Sequence, residues 1–416
     1  MTVETEPQLA IFGSSPAFAE PLHVGRPNVG DRAAIMARIE GILDRNWLTN
    51  DGPLVREFED AVARLHGVRH CVAMCNGTIA LEIAIRALGL TGEVIVPAFT
   101  FVATAHALQW QEITPVFCDV DPATHNIDVG RIEELITPRT SGILAVHLWG
   151  RPCNVERLED IARLRNLGLL FDAAHAFGAS HNGVMIGNFG DAEVLSFHAT
   201  KVLNSFEGGA VLTNNDDLAS RMKLMRNFGF VGVDSVGYVG TNGKMTEVCA
   251  AMGLASLESF DMFLAANQVN YDAYASTLAG LTGIELVRYD GADRRSRHYV
   301  VVEVGDDCPL TRDELWKVLV SENVLARRYF FPGVHRMEPY RSFFPHARLL
   351  VPQTARLAER VLTLPTGASV GVDDIGVVAG ILRRAIAASD QVHRCLAEVG
   401  IEADVSYSGT VAQASR

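Results

Sequence analysis

The feature that most constrains the fold is a regular alternation of short apolar runs with longer helical patterns, which begins near residue 68. "RHCVAMC" is typical of a buried strand, and "TIALEIAIRALGL" of a helix that is apolar on nearly all sides. The alternation continues through "EVIVPA", "FVATAHALQWQ", "TPVFCDV", "GRIEELI", "GILAVHLW", "NVERLEDIARLRNLG" and "LGLLFDAAH". It predicts an α/β fold with a mostly parallel sheet, helices on both faces, and ligands at the carboxyl ends of the strands.

A second, smaller α/β region is predicted further along the chain. "HYVVVEV" and "VLARRYF" are typical of strands, and "TRDELWKVLVSE" of a helix that a threonine caps. A length of 416 residues fits about two domains. The predicted division is a loosely ordered N-terminal extension, a large domain, a small C-terminal domain and a tail, at residues 1–24, 25–265, 266–400 and 401–416.

Composition and charge narrow the class of protein. The formal net charge of −13 argues against nucleic acid or an anionic membrane as a general partner, although a local phosphate site is compatible with it. The N-terminal residues lack the basic region of a secretory signal, and no apolar run reaches the ~18 residues that cross a bilayer. Seven scattered cysteines show no disulfide framework, so a cytoplasmic protein is expected. Cys71 and Cys75 only loosely resemble a metal-binding pair and are interpreted as small buried apolar residues, so no metal site is expected.

One lysine stands in an unusual setting, in the stretch "LSFHATKVLNSFEGG". Most lysines are solvated surface charges, but Lys201 follows the buried-strand pattern "AEVLSF" within five residues. Burial would disfavour its charged form and make it a candidate for altered chemistry. His198, three residues earlier, is interpreted as a packing residue. The chain has no G-x-G-x-x-G, no complete P-loop and no H-E-x-x-H pattern.

The groups that remain match the needs of pyridoxal phosphate, which are a Schiff-base lysine, a carboxylate for the ring nitrogen and a phosphate cradle. Lys201 can supply the first and Asp172, which ends the run "GLLFD", the second. The turn "NGT" at residues 76–78 opens a helix whose N–H groups attract phosphate, and Ser196 can add a hydroxyl. Phe101 can stack on the ring. Taken singly, these residues also fit a purely structural interpretation, such as a helix cap, a turn or a core aromatic.

With these residues assembled, the chain closely resembles the DegT/DnrJ/EryC1/StrS family of sugar aminotransferases over about residues 24–395. The resemblance implies a type I aminotransferase fold, with a mostly parallel seven-stranded sheet in the large domain and a smaller C-terminal α/β domain. The stretches that carry it are "NWLTNDGPLVREFE", "CNGTIALEIAIRALGL", "VIVPAFTFVATAHAL", "PVFCDVDPATHNID", "VHLWGRP", "FDAAHAFGA", "SFHATKVLNSFEGGAVLTNN" and "NGKMTEVCAAMGL".

The family resemblance implies a role for each matching residue. Lys201 would form the Schiff base, Asp172 would pair with the ring nitrogen and His175 would lie near the phenolic oxygen. The residues implied in binding phosphate are Gly77, Thr78 and Ser196, and the stacking aromatic is Phe101. Asn242 is similar to the residue that reaches the phosphate from the neighbouring subunit, which implies a homodimer with shared active sites.

The implied reaction transfers an amino group from L-glutamate to the keto carbon of a nucleotide-linked deoxysugar. The nearest resemblance is to enzymes that aminate dTDP-4-keto-6-deoxyglucose at C4 in deoxyaminosugar assembly for secondary metabolites such as antibiotics. Amination of a 3-keto sugar, a pyridoxal-dependent sugar dehydratase or lyase, and a non-catalytic ligand-binding relative are the alternatives. One dehydratase branch carries histidine in place of the lysine, and Lys201 argues against it.

Contacts to the sugar or its diphosphate are predicted at Lys244, Tyr329 and His335, for which a core aromatic and solvated polar groups are the alternative. Phe171 stands where many family members have glutamate, and "WLTNDGP" is one residue longer than the common form. Both departures bear on sugar or nucleotide contacts rather than on the cofactor site.

Overall fold

The protein is described by a computed structural model that covers residues 8–289, 291 and 293–398. The strands are β1 (Leu22–His23), β2 (His70–Met74), β3 (Glu93–Pro97), β4 (Thr114–Cys118), β5 (Thr140–Val146), β6 (Gly168–Asp172), β7 (Ser180–His181), β8 (Val184–Met185), β9 (Ala192–Ser196), β10 (Gly209–Thr213), β11 (Phe230–Gly232), β12 (Ser235–Val236), β13 (Ile284–Leu286), β14 (Val300–Val304), β15 (Val324–Leu325) and β16 (Val361–Leu364).

The helices alternate with these strands. They are α1 (Arg32–Arg45), α2 (Pro53–His66), α3 (Gly77–Leu88), α4 (Val102–Gln109), α5 (Ile132–Leu135), α6 (Val155–Arg165), α7 (Asp216–Met225), α8 (Glu247–Glu258), α9 (Phe260–Thr277), α10 (Arg312–Ser321), α11 (Tyr340–Phe343), α12 (Ala347–Leu350), α13 (Pro352–Arg360), α14 (Val372–Ala387) and α15 (Ser389–Glu398).

A seven-stranded sheet forms the centre of the larger part, with strand order β2-β10-β9-β6-β5-β3-β4. Every strand except β10 runs in the same direction, so the predicted mostly parallel sheet is confirmed. Its strands are buried on both faces because helices cover both, as in other parallel sheets. Alternate residues of β2 show this, since Val72 packs in the cluster beside α3 and Ala73 in the cluster beside α2 and α8.

Two strand ends at which the sequence predicts site residues lie at the carboxyl edge of this sheet. Asp172 is the last residue of β6 and Ser196 the last of β9. The antiparallel strand β10 begins at the same edge, where Gly209 lies opposite both Met74 and Ser196. This edge is the predicted place for a ligand.

The C-terminal part is built on the antiparallel three-stranded sheet β13-β14-β16. Its core packs these strands against α9, α10 and α14. Thr311 caps α10 in a capping box with Glu314, which confirms the predicted threonine cap. The predicted strand "VLARRYF" is wrong beyond its first two residues: only Val324–Leu325 is a strand, and the chain then turns toward the sheet's carboxyl edge.

The N-terminal residues that the structure describes are held against this C-terminal part. The carboxylate of Glu322 accepts hydrogen bonds from the backbone of Ala10 and Ala17, and β1 pairs with β15. The expectation of loose order is therefore wrong for residues 8–24, because a buried carboxylate and a strand pairing fix them. The predicted tail at residues 401–416 lies outside the described residues. The predicted boundary at residue 265 falls within the continuous helix α9.

Helix length and hydropathy give no membrane span from any single helix in the described part of the chain. Helices α8 and α9 pass the same test only when joined, and they are bent by 58° at their junction.

Candidate active site

A cavity of about 300 Å³ opens at the carboxyl edge of the sheet and is roofed by residues of the C-terminal part. It brings together most of the predicted site residues from separate strands and loops. Those that line it are Gly77, Thr78, Phe101, Asp172, His175, Ser196, Lys201 and Tyr329.

Lys201 lies in the loop that joins β9 to β10, and its side chain points into this cavity. Its Nζ donates a hydrogen bond of 3.3 Å to the hydroxyl of Tyr299. Burial lowers the pKa of Lys201, whereas Tyr329 and Asp172 act in the opposite direction. The residue is thus shifted toward the neutral amine, the form that can accept a proton or attack a carbonyl group.

Asp172 lies at the end of β6 and is almost fully buried. Its Oδ2 accepts a hydrogen bond of 2.9 Å from the hydroxyl of Thr104, and its Oδ1 accepts one of 3.1 Å from the backbone N–H of Ala174. Burial raises the pKa of this carboxyl, and the two donors and Lys201 oppose the rise. A cationic ring nitrogen is the kind of partner that such a buried carboxylate requires.

The start of α3 forms a cradle beside Ser196. Asn76 caps this helix, since its side chain accepts from the N–H of Ile79. The backbone N–H groups of Gly77 and Thr78 have no hydrogen-bond partner among the described residues and are left at the helix end. A Cβ on Gly77 would come within 3.1 Å of the Ser196 Cβ, so glycine permits the close approach. A helix N-terminus of this kind attracts phosphate.

Aromatic rings form the walls of the cavity. The ring of His175 lies 4.1 Å from that of Tyr299 and is stacked at 5.9 Å on Trp149. Burial lowers the pKa of His175 well below its ordinary value, so the ring is neutral. Phe101 is 56% exposed and faces Phe330 at 6.5 Å across the opening, a position from which an aromatic ring can cover a flat ligand.

Three predicted residues do not line the cavity of this chain. Asn242 is exposed and accepts a hydrogen bond of 2.6 Å from Lys244 Nζ, at the base of the hairpin formed by β11 and β12. His335 is only 2% exposed, and burial lowers its pKa to about 4. The predicted sugar contact at His335 is wrong, because the ring is buried beside Gly333 and does not line the cavity.

Several lining or supporting residues were missed by sequence reasoning. Thr100 and Thr104 lie beside Phe101 in "FTFVATA", and Tyr299 and Arg327 come from the C-terminal part. His198 was interpreted as packing, which is wrong: its side chain is exposed, lines the cavity and lies 2.8 Å from the Thr200 hydroxyl. The "RRYF" sequence, in which two arginines precede an aromatic pair, is the one local signal that could have pointed to Arg327 and Phe330.

The residues present fit pyridoxal phosphate. The cavity joins a lysine whose pKa is lowered by burial, a buried carboxylate and a helix end. Within the described residues this carboxylate forms no salt bridge, and two N–H groups of the helix end have no hydrogen-bond partner. These are the three groups that the cofactor requires. The glycine at position 77 leaves room for a phosphate where a Cβ would meet Ser196.

This site and fold define an aminotransferase of the type that uses pyridoxal phosphate. The chain belongs to the DegT/DnrJ/EryC1/StrS aminotransferase family, whose sequence profile matches residues 30–383. It is a pyridoxal-phosphate-dependent sugar aminotransferase, as the sequence predicts.

Individual relatives are similar over nearly the whole chain. A dTDP-4-amino-4,6-dideoxy-D-glucose transaminase from Shigella dysenteriae is 39% identical, over 88% of this chain and 99% of its own length. A GDP-perosamine synthase from Caulobacter vibrioides is 37% identical, over 84% of this chain and 93% of its own. The crystal structure of DesI in the presence of its TDP-sugar product is 49% identical, with a TM-score of 0.89 over 93% of this chain and 98% of that chain.

Proposed function

We propose that the protein transfers an amino group from L-glutamate to C4 of dTDP-4-keto-6-deoxyglucose and so produces a dTDP-4-amino-4,6-dideoxy sugar. The observation that carries the proposal is the joint placement of Lys201, Asp172 and the start of α3 around one cavity. The choice of a dTDP-linked sugar aminated at C4 is supported by a relative whose name refers to dTDP-4-amino-4,6-dideoxy-D-glucose and by DesI, solved with its TDP-sugar product.

Bound pyridoxal phosphate would supply the electron sink that makes the substrate carbon acidic. Gly77, Thr78 and Ser196 would hold its phosphate, and Asp172 would face its ring nitrogen. Because Thr104 and Ala174 donate to Asp172, its charge is kept at one place in the cavity. Phe101 and His175 would cover the ring, with His175 near the phenolic oxygen.

Lys201 would carry the proton. Its Nζ takes a proton from one carbon and returns it to another, which requires an amine that is neutral before the transfer. Burial among apolar walls lowers its pKa toward this condition. The same residue serves both half-reactions, with the amino donor and with the keto sugar.

Two residues are proposed to contact the substrate. We propose Tyr329 as a sugar contact, since it lines the cavity and stacks at 4.9 Å under the guanidinium of Arg327. Lys244 is half-buried, and its Nζ donates to Asn242. We propose it as a diphosphate contact in an assembled dimer.

We also propose a homodimer with shared sites, in which Asn242 reaches the phosphate bound by the neighbouring subunit. Its exposure supports the proposal, as do the exposed apolar side chains of the adjoining hairpin. Those side chains are Phe228, Phe230, Val231, Val233, Val236 and Val239.

Incubation of the purified protein with pyridoxal phosphate, glutamate and a panel of keto sugars tests the proposed reaction. The panel contains dTDP-linked 4-keto and 3-keto deoxysugars and the GDP-linked 4-keto sugar, with product mass and NMR regiochemistry as the measurement. We expect a 4-amino product from the dTDP-linked 4-keto sugar and none with Lys201→Ala. Preferred amination at C3, preference for GDP, or loss of water without amination would each replace the proposal.

A further inference from the structure

The residues that lead into β14 reach across the molecule to the loop of Lys201. The Tyr299 hydroxyl lies 3.3 Å from Lys201 Nζ, although the two residues are 98 positions apart. His298, the preceding residue, lies with its Nε2 at 2.7 Å from the carbonyl oxygen of Thr200. Two consecutive residues thus hold the lysine, one at its side chain and one at the backbone just before it.

We propose that Tyr299 is a positioning residue for the reaction, whose phenol holds Nζ of Lys201 by a hydrogen bond in both protonation states of the amine. The hydroxyl accepts from the ammonium and donates to the lone pair of the neutral amine. The released lysine is thereby kept at one position while it takes and returns the proton. The inference rests on Lys201 as the proton carrier in the proposed function, but not on the identity of the sugar.

A neutral hydroxyl suits this task better than a carboxylate. A carboxylate beside Nζ would stabilise the ammonium and hold the proton there. Burial raises the pKa of Tyr299, so its phenol stays neutral at physiological pH. The nearby carboxylate of Asp172 already accepts from Thr104 and Ala174.

The position of the phenol is fixed by packing. Tyr299 is 5% exposed, and its ring contacts His175 at 4.1 Å and His298 edge-on at 5.1 Å. Burial lowers the pKa of His298 to about 4, so the ring is neutral and donates from Nε2 to the Thr200 carbonyl. A ring confined in this way loses little entropy when its hydroxyl bonds to the lysine.

Tyr299→Phe tests the inference by removal of the hydroxyl alone. The readout is the pH titration of Lys201 in protein stripped of cofactor, measured by competitive acetylation and peptide mass spectrometry. Hydrogen bonds from charged donors are the stronger ones, so loss of the acceptor lowers the lysine pKa by about one unit. With cofactor restored, we expect kcat to fall about tenfold or more with KM nearly unchanged, the pattern of an interaction used after binding.

Tyr274→Phe is the matched control, because it removes another buried phenol, whose hydroxyl donates to the Pro365 carbonyl at 2.9 Å. It should leave the Lys201 titration unchanged. If Tyr299→Phe does not fold, 3-fluorotyrosine at position 299 keeps the ring and weakens the acceptor, and the lysine pKa should again fall. An unchanged titration in the folded variant overturns the inference. A shifted titration without any amino-sugar product would overturn only the proposed substrate.

Discussion

The hydroxyl of Thr104 donates a hydrogen bond of 2.9 Å to Oδ2 of Asp172. Thr104 lies in α4, and Asp172 is the last residue of β6. Thr104 is fully buried, and its Oγ1 lies 2.9 Å from that of Thr100, so a short hydroxyl chain ends at the carboxylate. Such a donor stabilises the ionised form of Asp172 against the burial that raises its pKa. The Thr104 hydroxyl thus favours the charged form of Asp172, which is the form that pairs with a cationic ring.

Thr104→Val should weaken cofactor binding, because it removes the donor and keeps the side-chain shape. A hydrogen bond to a charged group contributes about 1.5–3 kcal/mol, which corresponds to a cofactor Kd that is about tenfold to a hundredfold higher. Equilibrium titration followed by visible absorbance measures the change. Thr104→Ser retains the hydroxyl and should bind as the wild type does; equal affinity of the valine variant would show that the bond is dispensable.

Gly209→Ala should disturb the phosphate cradle. A Cβ at position 209 would come within 2.5 Å of the carbonyl group of Asn76 and 2.6 Å of the Gly77 nitrogen, which are backbone atoms that cannot rotate away. Overpacking of this kind costs about 1–3 kcal/mol. We expect a lower unfolding temperature and weaker retention of pyridoxal phosphate on gel filtration.

Gly376→Ala is the matched control for that substitution. The added Cβ would meet nothing within 4 Å, and the residue lies inside α14. Alanine is favoured over glycine in a helix, so stability should rise slightly and cofactor retention should not change. If Gly209→Ala retains pyridoxal phosphate as well as Gly376→Ala does, the close approach of Gly209 to the phosphate cradle has no role in cofactor binding.

Asn242→Ala should weaken cofactor retention through the neighbouring subunit if the proposed shared sites exist. Mixed dimers at limiting cofactor give the sharpest measurement, since Lys201→Ala chains should be inactive alone and Asn242→Ala chains should lose most activity when free cofactor is scarce. In a heterodimer one site has its own lysine and the partner's asparagine intact, so refolding an equal mixture should restore about a quarter of the wild-type activity. Ser235→Ala, on the same hairpin, is the control. No recovery in the mixture would argue that each chain's site is independent.

Folding stability should fall as the pH drops from 6.5 to about 4, in part through His298. The buried ring stays neutral until about pH 4, whereas the unfolded chain takes up a proton at the ordinary pKa of 6.5. The unfolded state therefore binds more protons than the folded state in this window. Below about pH 4, the loss of folding stability due to His298 totals about 3 kcal/mol.

His298→Gln isolates this contribution, because glutamine does not titrate and its amide can still donate to the Thr200 carbonyl. Urea unfolding of both proteins across the window should show a shallower pH dependence in the variant. Parallel curves for the two proteins would mean that His298 does not carry the effect.

The sequence predicts those site residues that a pattern in their immediate neighbours marks. An apolar run that stops at Asp172 and a turn before a helix at Gly77 reveal strand ends and a helix N-terminus, and both lie at the cavity. Thr104 and Tyr299 gave no such signal, since a buried threonine and a tyrosine before a strand are ordinary core residues. Their importance comes from contacts across 68 and 98 positions, which only the packed fold defines.

The hold that His298 and Tyr299 exert on the Lys201 loop has a consequence for how the protein matures. During synthesis the central sheet and Lys201 leave the ribosome well before these two residues do, because the chain is made from its N-terminus. All seven strands of the central sheet are thus synthesised while the lysine still lacks its phenol partner. The geometry that holds Lys201 therefore exists only after the C-terminal part has docked, so a chain that ends before residue 298 would lack both contacts to the lysine and its loop.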